Sequence, residues 1–327
     1  MKYIDKVYGE IEIVDDVVIE IMNSPQFQRL KGVDQAGYFD VYFPGTKHSR
    51  FEHSVGCYIL LGKFGASREE RILGLIHDMS HSAFSHTADY VFESGRGADH
   101  NYQDDIFVDF MCKTDIVEIL KKYNLESDYI FNESNFPLQE TELPDLCADR
   151  IDYSLRGAIH YEGKTREDMS YFLEHLTIID NKWVFDDLES ALKYAQLFRD
   201  LNNVFYSNKE TAAMFSRTSE WIKYAADEGY IEHKDLFATD NEVIEQINKN
   251  LIHDKTLQKL WDNMNNPHID ICDKSEVGCE EVIVKSRIVD PLFLNEAKEI
   301  KRISEIDEKW EKIIEKDMQP KKHFLKK

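Results

Sequence analysis

An adjacent histidine–aspartate pair, His77-Asp78, closes the apolar run SREERILGLIHDMS, and His53 sits in a second apolar run just upstream, SRFEHSVGCYILLGKFG. Both runs carry apolar residues at helical spacing, and the later one opens with a capping box, Ser67 followed by Glu70. The chain is therefore committed to packed helices that carry imidazole and carboxylate groups. A neutral imidazole beside a hard carboxylate, joined by a second histidine and a distant aspartate, can hold a divalent ion. Such an ion binds phosphate oxygens and activates water.

Six of the twelve histidines fall between residues 48 and 100: His48, His53, His77, His81, His86 and His100. Even spreading would place about two there, so the clustering points to a site. On a continuous helix His77 and His81 would share a face. Asp78, next to His77, joins them only at a helix end or if the ion lies between their directions. A further anionic ligand is expected from ELPDLCADRIDYSLRGA, where Asp145, Asp149 and Asp152 are all candidates.

Composition narrows the partners. The net charge of −22 disfavours extended nucleic-acid binding, although a local basic pocket can still hold one nucleotide. No apolar run reaches the length of a membrane span, and the acidic N-terminus lacks the order of a signal peptide. The five cysteines include no CxxC pair, which reads as reduced, mostly buried thiols in a cytoplasmic protein.

Residues 1–20 read as a short strand pair. Ser24-Pro25 opens a helix that Gly37 ends, and YFDVYFPG is extended. Helices are expected over 100–112, 114–123, 142–160, 166–175, 187–206, 208–228, 240–251 and 254–264. Trp183-Val184-Phe185 reads as a small turn or hairpin. After Pro267, EEVIVKSRIVDPLFL reads as strand, EAKEIKRISEIDEKWEKIIEKD as a charged amphipathic helix, and KKHFLKK as a solvated basic tail. The expected organisation is residues 1–266 as one domain with a helical extension, with 267–327 packed on it.

FPGTKHSRFEHSVG, HDMSHSAFSH and ADRIDYSLRG, preceded by YGEIEI and SPQFQRLKGVDQAG, resemble the HD-domain phosphohydrolases. Within them the likeness is to the deoxynucleoside-triphosphate triphosphohydrolase branch and its bacterial relatives. The resemblance covers residues 1 to about 175 and, weakly, KSRIVDP. It implies a mostly α fold, a helical bundle with short β elements at the N-terminus and near residues 277–294. It also implies a metal set of His53, His77, Asp78 and Asp149 holding one divalent ion (manganese, iron, magnesium, cobalt, nickel or zinc), and so selects Asp149 among the three aspartates.

The same resemblance implies that His81 and His100 handle protons, with Asp89 orienting His100. Arg50 and Arg150 would hold phosphates, and Gln35 and Tyr153 would contact the sugar. A nucleotide substrate and a homo-oligomer are implied. Because the match begins at residue 1, no N-terminal regulatory module is expected. Four departures, Ser80, Asn101, Gly157 and Ala36, weaken the case for strict deoxyribose selection. Three readings follow: release of triphosphate from a (deoxy)nucleoside triphosphate, stepwise phosphatase or phosphodiesterase action on another nucleotide, or a nucleotide-binding module with little catalysis.

Overall fold

The computed structural model describes residues 1–92, 102–274 and 276–326. It opens with β1 (Lys2–Asp5) and β2 (Gly9–Glu12), paired antiparallel with Tyr3 opposite Ile11. The helix Asp16–Asn23, capped by the Asp15 carboxylate on Val17 N–H, buries Val17, Val18, Ile21 and Met22 on one face. The helix expected from Ser24 is shorter than its composition suggests. It runs Pro25–Arg29, tightens through Leu30–Gly32, and then gives way to an isolated bridge between Asp34 and Ser49. Gly32 permits this: a Cβ there would stand 2.5 Å from Thr239 Cγ2.

Arg50–Lys63 is the central helix. Ser49 and Glu52 close its N-terminal capping box, and eleven of its fourteen residues are buried. A helix buried nearly all round must be surrounded, and this one packs against Arg68–Ile76 and Ala148–Glu162. Gly163, with φ +66°, ends the latter helix. Asp180 and Asn181, both at positive φ, turn β3 (Leu176–Ile179) into β4 (Lys182–Phe185), the hairpin expected around Trp183. Leu188–Leu201 then passes through a π-helical turn, Asn202–Tyr206, before Lys209–Asp227.

The C-terminal region departs most from expectation. EEVIVKSRIVDPLFL is not one strand. It splits into β5 (Cys279–Val284) and β6 (Leu292–Leu294), which lie in different sheets. The expected long helix is confined to Glu308–Asp317, because Ile300–Arg302 forms β7 against β6. The basic tail is β8 (Lys321–Lys326), antiparallel to β5 with Val282 opposite His323. Burial of Leu325 beside Val282 and Val284, and a 2.8 Å ion pair between Lys322 and Glu281, account for the ordered tail. β3, β4, β6 and β7 form one sheet, with β4 and β6 parallel.

Cys272 and Cys279 are joined in a disulfide, correcting the expectation of reduced thiols throughout. The bridge of Ile271 to Leu325 brings their Cα atoms to 6.0 Å. Cys57 and Cys147 are buried free thiols, and Cys112 is exposed. The largest apolar cluster joins Leu155, Phe198 and Met214 of the helices to Val282, Val284 and Leu325, so the late strands share one core with the helices. Among the described residues, no helix is long and apolar enough to cross a membrane.

Candidate metal centre

The Arg68–Ile76 helix stops one residue before the His-Asp pair, and His77 is its C-cap. Residues 77–80 turn away instead of continuing the helix, so the shared helical face expected for His77 and His81 does not form. The turn is what allows neighbouring side chains to reach one region. His53 comes from the first turn of Arg50–Lys63, and Asp149 from the first turn of Ala148–Glu162.

These residues converge. His53 Nε2 lies 2.8 Å from Asp149 Oδ1 and 3.2 Å from His77 Nε2, and His77 Nε2 lies 3.4 Å from Asp149 Oδ1. Asp78 approaches to 3.7 Å from His53 Nε2 and 3.6 Å from His77 Nε2. Each imidazole turns its other nitrogen to a fixed partner: His53 Nδ1 meets Asp152 Oδ2 at 2.8 Å, and His77 Nδ1 meets the Gly74 carbonyl at 2.9 Å. Partners of this kind orient imidazoles toward a metal. Asp152 is itself held by Arg156 through two 2.9 Å contacts and by the Tyr8 hydroxyl at 2.9 Å. Asp145, the third candidate aspartate, is turned away and pairs with Arg302.

The charges fit a cation. Burial alone would raise the Asp78 carboxyl, yet Arg50, His77 and His81 hold it well below the ordinary range. Burial opposes charge on His77 as well, but Asp78 and Asp149 push it up to about 10. The carboxylates therefore demand positive charge at the two imidazoles. Either protons or a metal ion satisfies that demand, and metal binding to such a set releases protons. Two Nε2 atoms and two carboxylates form a donor set suited to a divalent first-row metal.

His81 Nε2 lies 3.3 Å from Asp78 Oδ1, and its ring meets His86 edge-on at 5.1 Å. His86 Nδ1 is 3.2 Å from Asp89 Oδ2. Burial lowers His81 to about 3, with Arg50 adding to the effect. Burial likewise lowers His86 to about 4 against the pull of Asp89. Both rings are thus neutral near pH 7. His86 received no role from the sequence, although its i, i+3 spacing to Asp89 was available as a signal. His100 and Asn101 lie outside the described residues.

A cavity of about 720 Å³ opens beside His77, Asp78 and Asp149, within the range of small-molecule sites. Gln35, Arg50, His81, Arg150 and Tyr153 all line it. Both expected phosphate-holding arginines are already engaged by carboxylates. Arg50 Nη1 lies 2.6 Å from Asp78 Oδ2, and Arg150 Nη2 lies 3.0 Å from Glu140 Oε1. By contrast, Gln35 Oε1 and the Tyr153 hydroxyl are buried without a hydrogen-bond partner among the described residues. At Gly157 a Cβ would stand 2.5 Å from Tyr206 Oη, so Tyr206 fills the room a larger residue would need.

No family model matches the chain. The metal-dependent phosphohydrolase cns2 of Cordyceps militaris is 32% identical, over 71% of this chain and 68% of that protein. The chain belongs to the metal-dependent HD-domain phosphohydrolase superfamily. An uncharacterised relative, YdhJ of Bacillus subtilis, is 33% identical over 75% of this chain and 74% of its own length. The deoxynucleoside triphosphate triphosphohydrolase SAMHD1 of Gallus gallus is 32% identical over 42% of this chain and 26% of that protein. In fold, a solved phosphohydrolase from Bacteroides thetaiotaomicron superposes with a TM-score of 0.75, covering 100% of this chain and 99% of that one at 17% identity.

Proposed function

We propose that this HD-domain phosphohydrolase hydrolyses nucleotides, with (deoxy)nucleoside triphosphates cleaved to nucleoside and triphosphate as the leading reaction. The observation that carries the reading is the meeting of His53, His77, Asp78 and Asp149 at the side of a cavity large enough for a nucleotide. Partial similarity to the triphosphohydrolases supports the substrate class.

His53, His77, Asp78 and Asp149 would hold one divalent ion. When bound, it supplies Lewis acidity toward a phosphate oxygen and toward the attacking water. Asp152 and the Gly74 carbonyl fix the two histidine rings, and Arg50 fixes the Asp78 carboxylate. Asp89 holds His86 with its proton on Nδ1, which leaves Nε2 to accept one. His81, neutral and beside Asp78, is the second proton carrier. His100, which lies outside the described residues, is assigned the same duty. Arg50 and Arg150 contribute field to the phosphates from within their carboxylate pairs. Gln35 and Tyr153 offer their unpaired polar atoms to the sugar.

The second reading, stepwise release of phosphate from a nucleotide, is favoured by Tyr206 standing over Gly157, which reshapes the sugar end of the cavity. Product analysis separates the two. Metal-stripped protein is resupplied in turn with manganese, magnesium, cobalt and iron, and incubated with NTPs, dNTPs and nucleoside monophosphates. Triphosphate plus nucleoside supports the first reading, orthophosphate the second. Failure to turn over any nucleotide with any of these metals, while one still binds, leaves the binding module.

A further inference from the structure

Three arginines line the cavity: Arg50, Arg150 and Arg287. The first two are held by Asp78 and Glu140. Arg287 has no side-chain ion pair or hydrogen bond among the described residues, and it is half-buried. An unpaired guanidinium facing a cavity keeps its full fork of donors for a ligand.

Its placement is built. Arg287 follows β5, and its backbone N–H donates to Asn202 Oδ1 at 2.9 Å. Asn202 Nδ2 donates in turn to Ser286 Oγ at 3.0 Å. Asn202 is fully buried and opens the π-helical turn Asn202–Tyr206, whose Phe205 and Tyr206 also line the cavity. Such turns recur at functional sites. One buried amide thus clamps the aromatic wall to the segment that carries the cation.

We infer that Arg287, delivered by the segment after β5 and fixed by Asn202, binds a phosphate oxygen of the ligand. The assignment rests on the cavity taking a phosphorylated ligand, as proposed above. It puts one anion-binding group on the C-terminal segment, outside the helices that carry the metal-ligand candidates.

The test is equilibrium binding of inorganic triphosphate to the full chain by titration calorimetry, at low and high salt. Loss of a charge-assisted hydrogen bond predicts that Arg287→Ala weakens binding about 10- to 100-fold and flattens its salt dependence. Arg287→Lys restores part of the affinity, because it returns the charge without the fork. Both variants keep the wild-type melting temperature, which separates binding from folding. Wild-type affinity in Arg287→Ala overturns the assignment alone, since nucleotide hydrolysis by the same preparation leaves the phosphohydrolase reading standing. A wild-type protein that neither binds triphosphate nor hydrolyses any nucleotide overturns both.

Discussion

His53 and Asp152, 99 positions apart in sequence, meet at 2.8 Å through Nδ1 and Oδ2 with neither side chain exposed to solvent. The contact fixes the ring so that Nε2 faces Asp149 and His77. Asp152→Asn keeps the shape but removes the charge that holds the ring. Loss of such a supporting partner costs about 10- to 100-fold in metal affinity. Manganese titration followed by electron paramagnetic resonance reads the change directly. An unchanged dissociation constant would show that Asp152 serves only Arg156 and Tyr8.

That contact depends on the absence of a side chain at Gly56. A Cβ there would lie 2.0 Å from Asp152 Oδ1 and 2.2 Å from Arg156 Nη2. Both neighbours are buried and pinned, so they cannot swing aside. Gly56→Ala is expected to destabilise the fold by about 1–3 kcal/mol through overpacking. It should lower the melting temperature by several degrees and weaken metal binding at the same time. Calorimetric melting of the two proteins settles it, and an alanine variant as stable as wild type would contradict the packing described.

Asp78 and Asp149 are expected to be indispensable to metal retention. Asp78→Ala also leaves Arg50 buried without its 2.6 Å partner, whereas Asp149→Ala removes a carboxylate at the cavity edge. Both variants should lose bound metal, measured by atomic emission on reconstituted protein, and with it nucleotide hydrolysis. Full metal-dependent turnover by Asp78→Ala would remove Asp78 from the ligand set.

Two buried carboxyls, Asp34 and Asp240, should each contribute a loss of stability as pH rises from about 4, opposite in sign to the contribution of the depressed histidines His81 and His86. Burial raises the Asp34 carboxyl to about 7, against the Ala36 N–H that it accepts. Burial also raises Asp240 to about 6, although it accepts the backbone N–H groups of Asp34 and Phe84. From about 4 up to their folded values these two carboxyls hold protons that the unfolded chain has released, so their share of the stability falls as pH rises. Each such proton makes the fold less stable by about 1.4 kcal/mol for every pH step of one. Asp34→Asn removes one of these groups. Its melting temperature should rise relative to that of the wild type as pH increases from about 4 to 7. Parallel profiles for the two proteins would exclude Asp34 as a contributor.

The local parts of the candidate site were legible because short-range rules set them. Ser67 and the apolar spacing before His77 predict the helix that leads into the His-Asp pair, and Ser67 caps it, although Glu70 accepts from the Leu138 and Gln139 N–H groups instead of closing the expected capping box. The choice of Asp149 needed the family resemblance, since Asp145 and Asp152 have the same chemistry and a similar place in the sequence. What stayed hidden depends on distant partners. Arg50 and Arg150 read as free cations until the fold sets carboxylates against them. The basic tail reads as solvated until Val282 and Val284 provide a strand to pair with. Arg287 belongs to a run that reads as one strand, yet Asn202 holds it apart from β5. Gly56 gave no signal, because its neighbour lies almost a hundred residues downstream.

The pairing of β5 with β8 has a consequence for timing. All four metal-ligand candidates lie before residue 150, whereas the strand leading to Arg287 is completed by residues 321–326. Synthesis runs from the N-terminus, and long-range strand pairing is slow compared with helix formation. Synthesis therefore delivers the imidazoles and carboxylates of the candidate site before the strand that completes the segment carrying Arg287. The two halves of the candidate site are born at different moments.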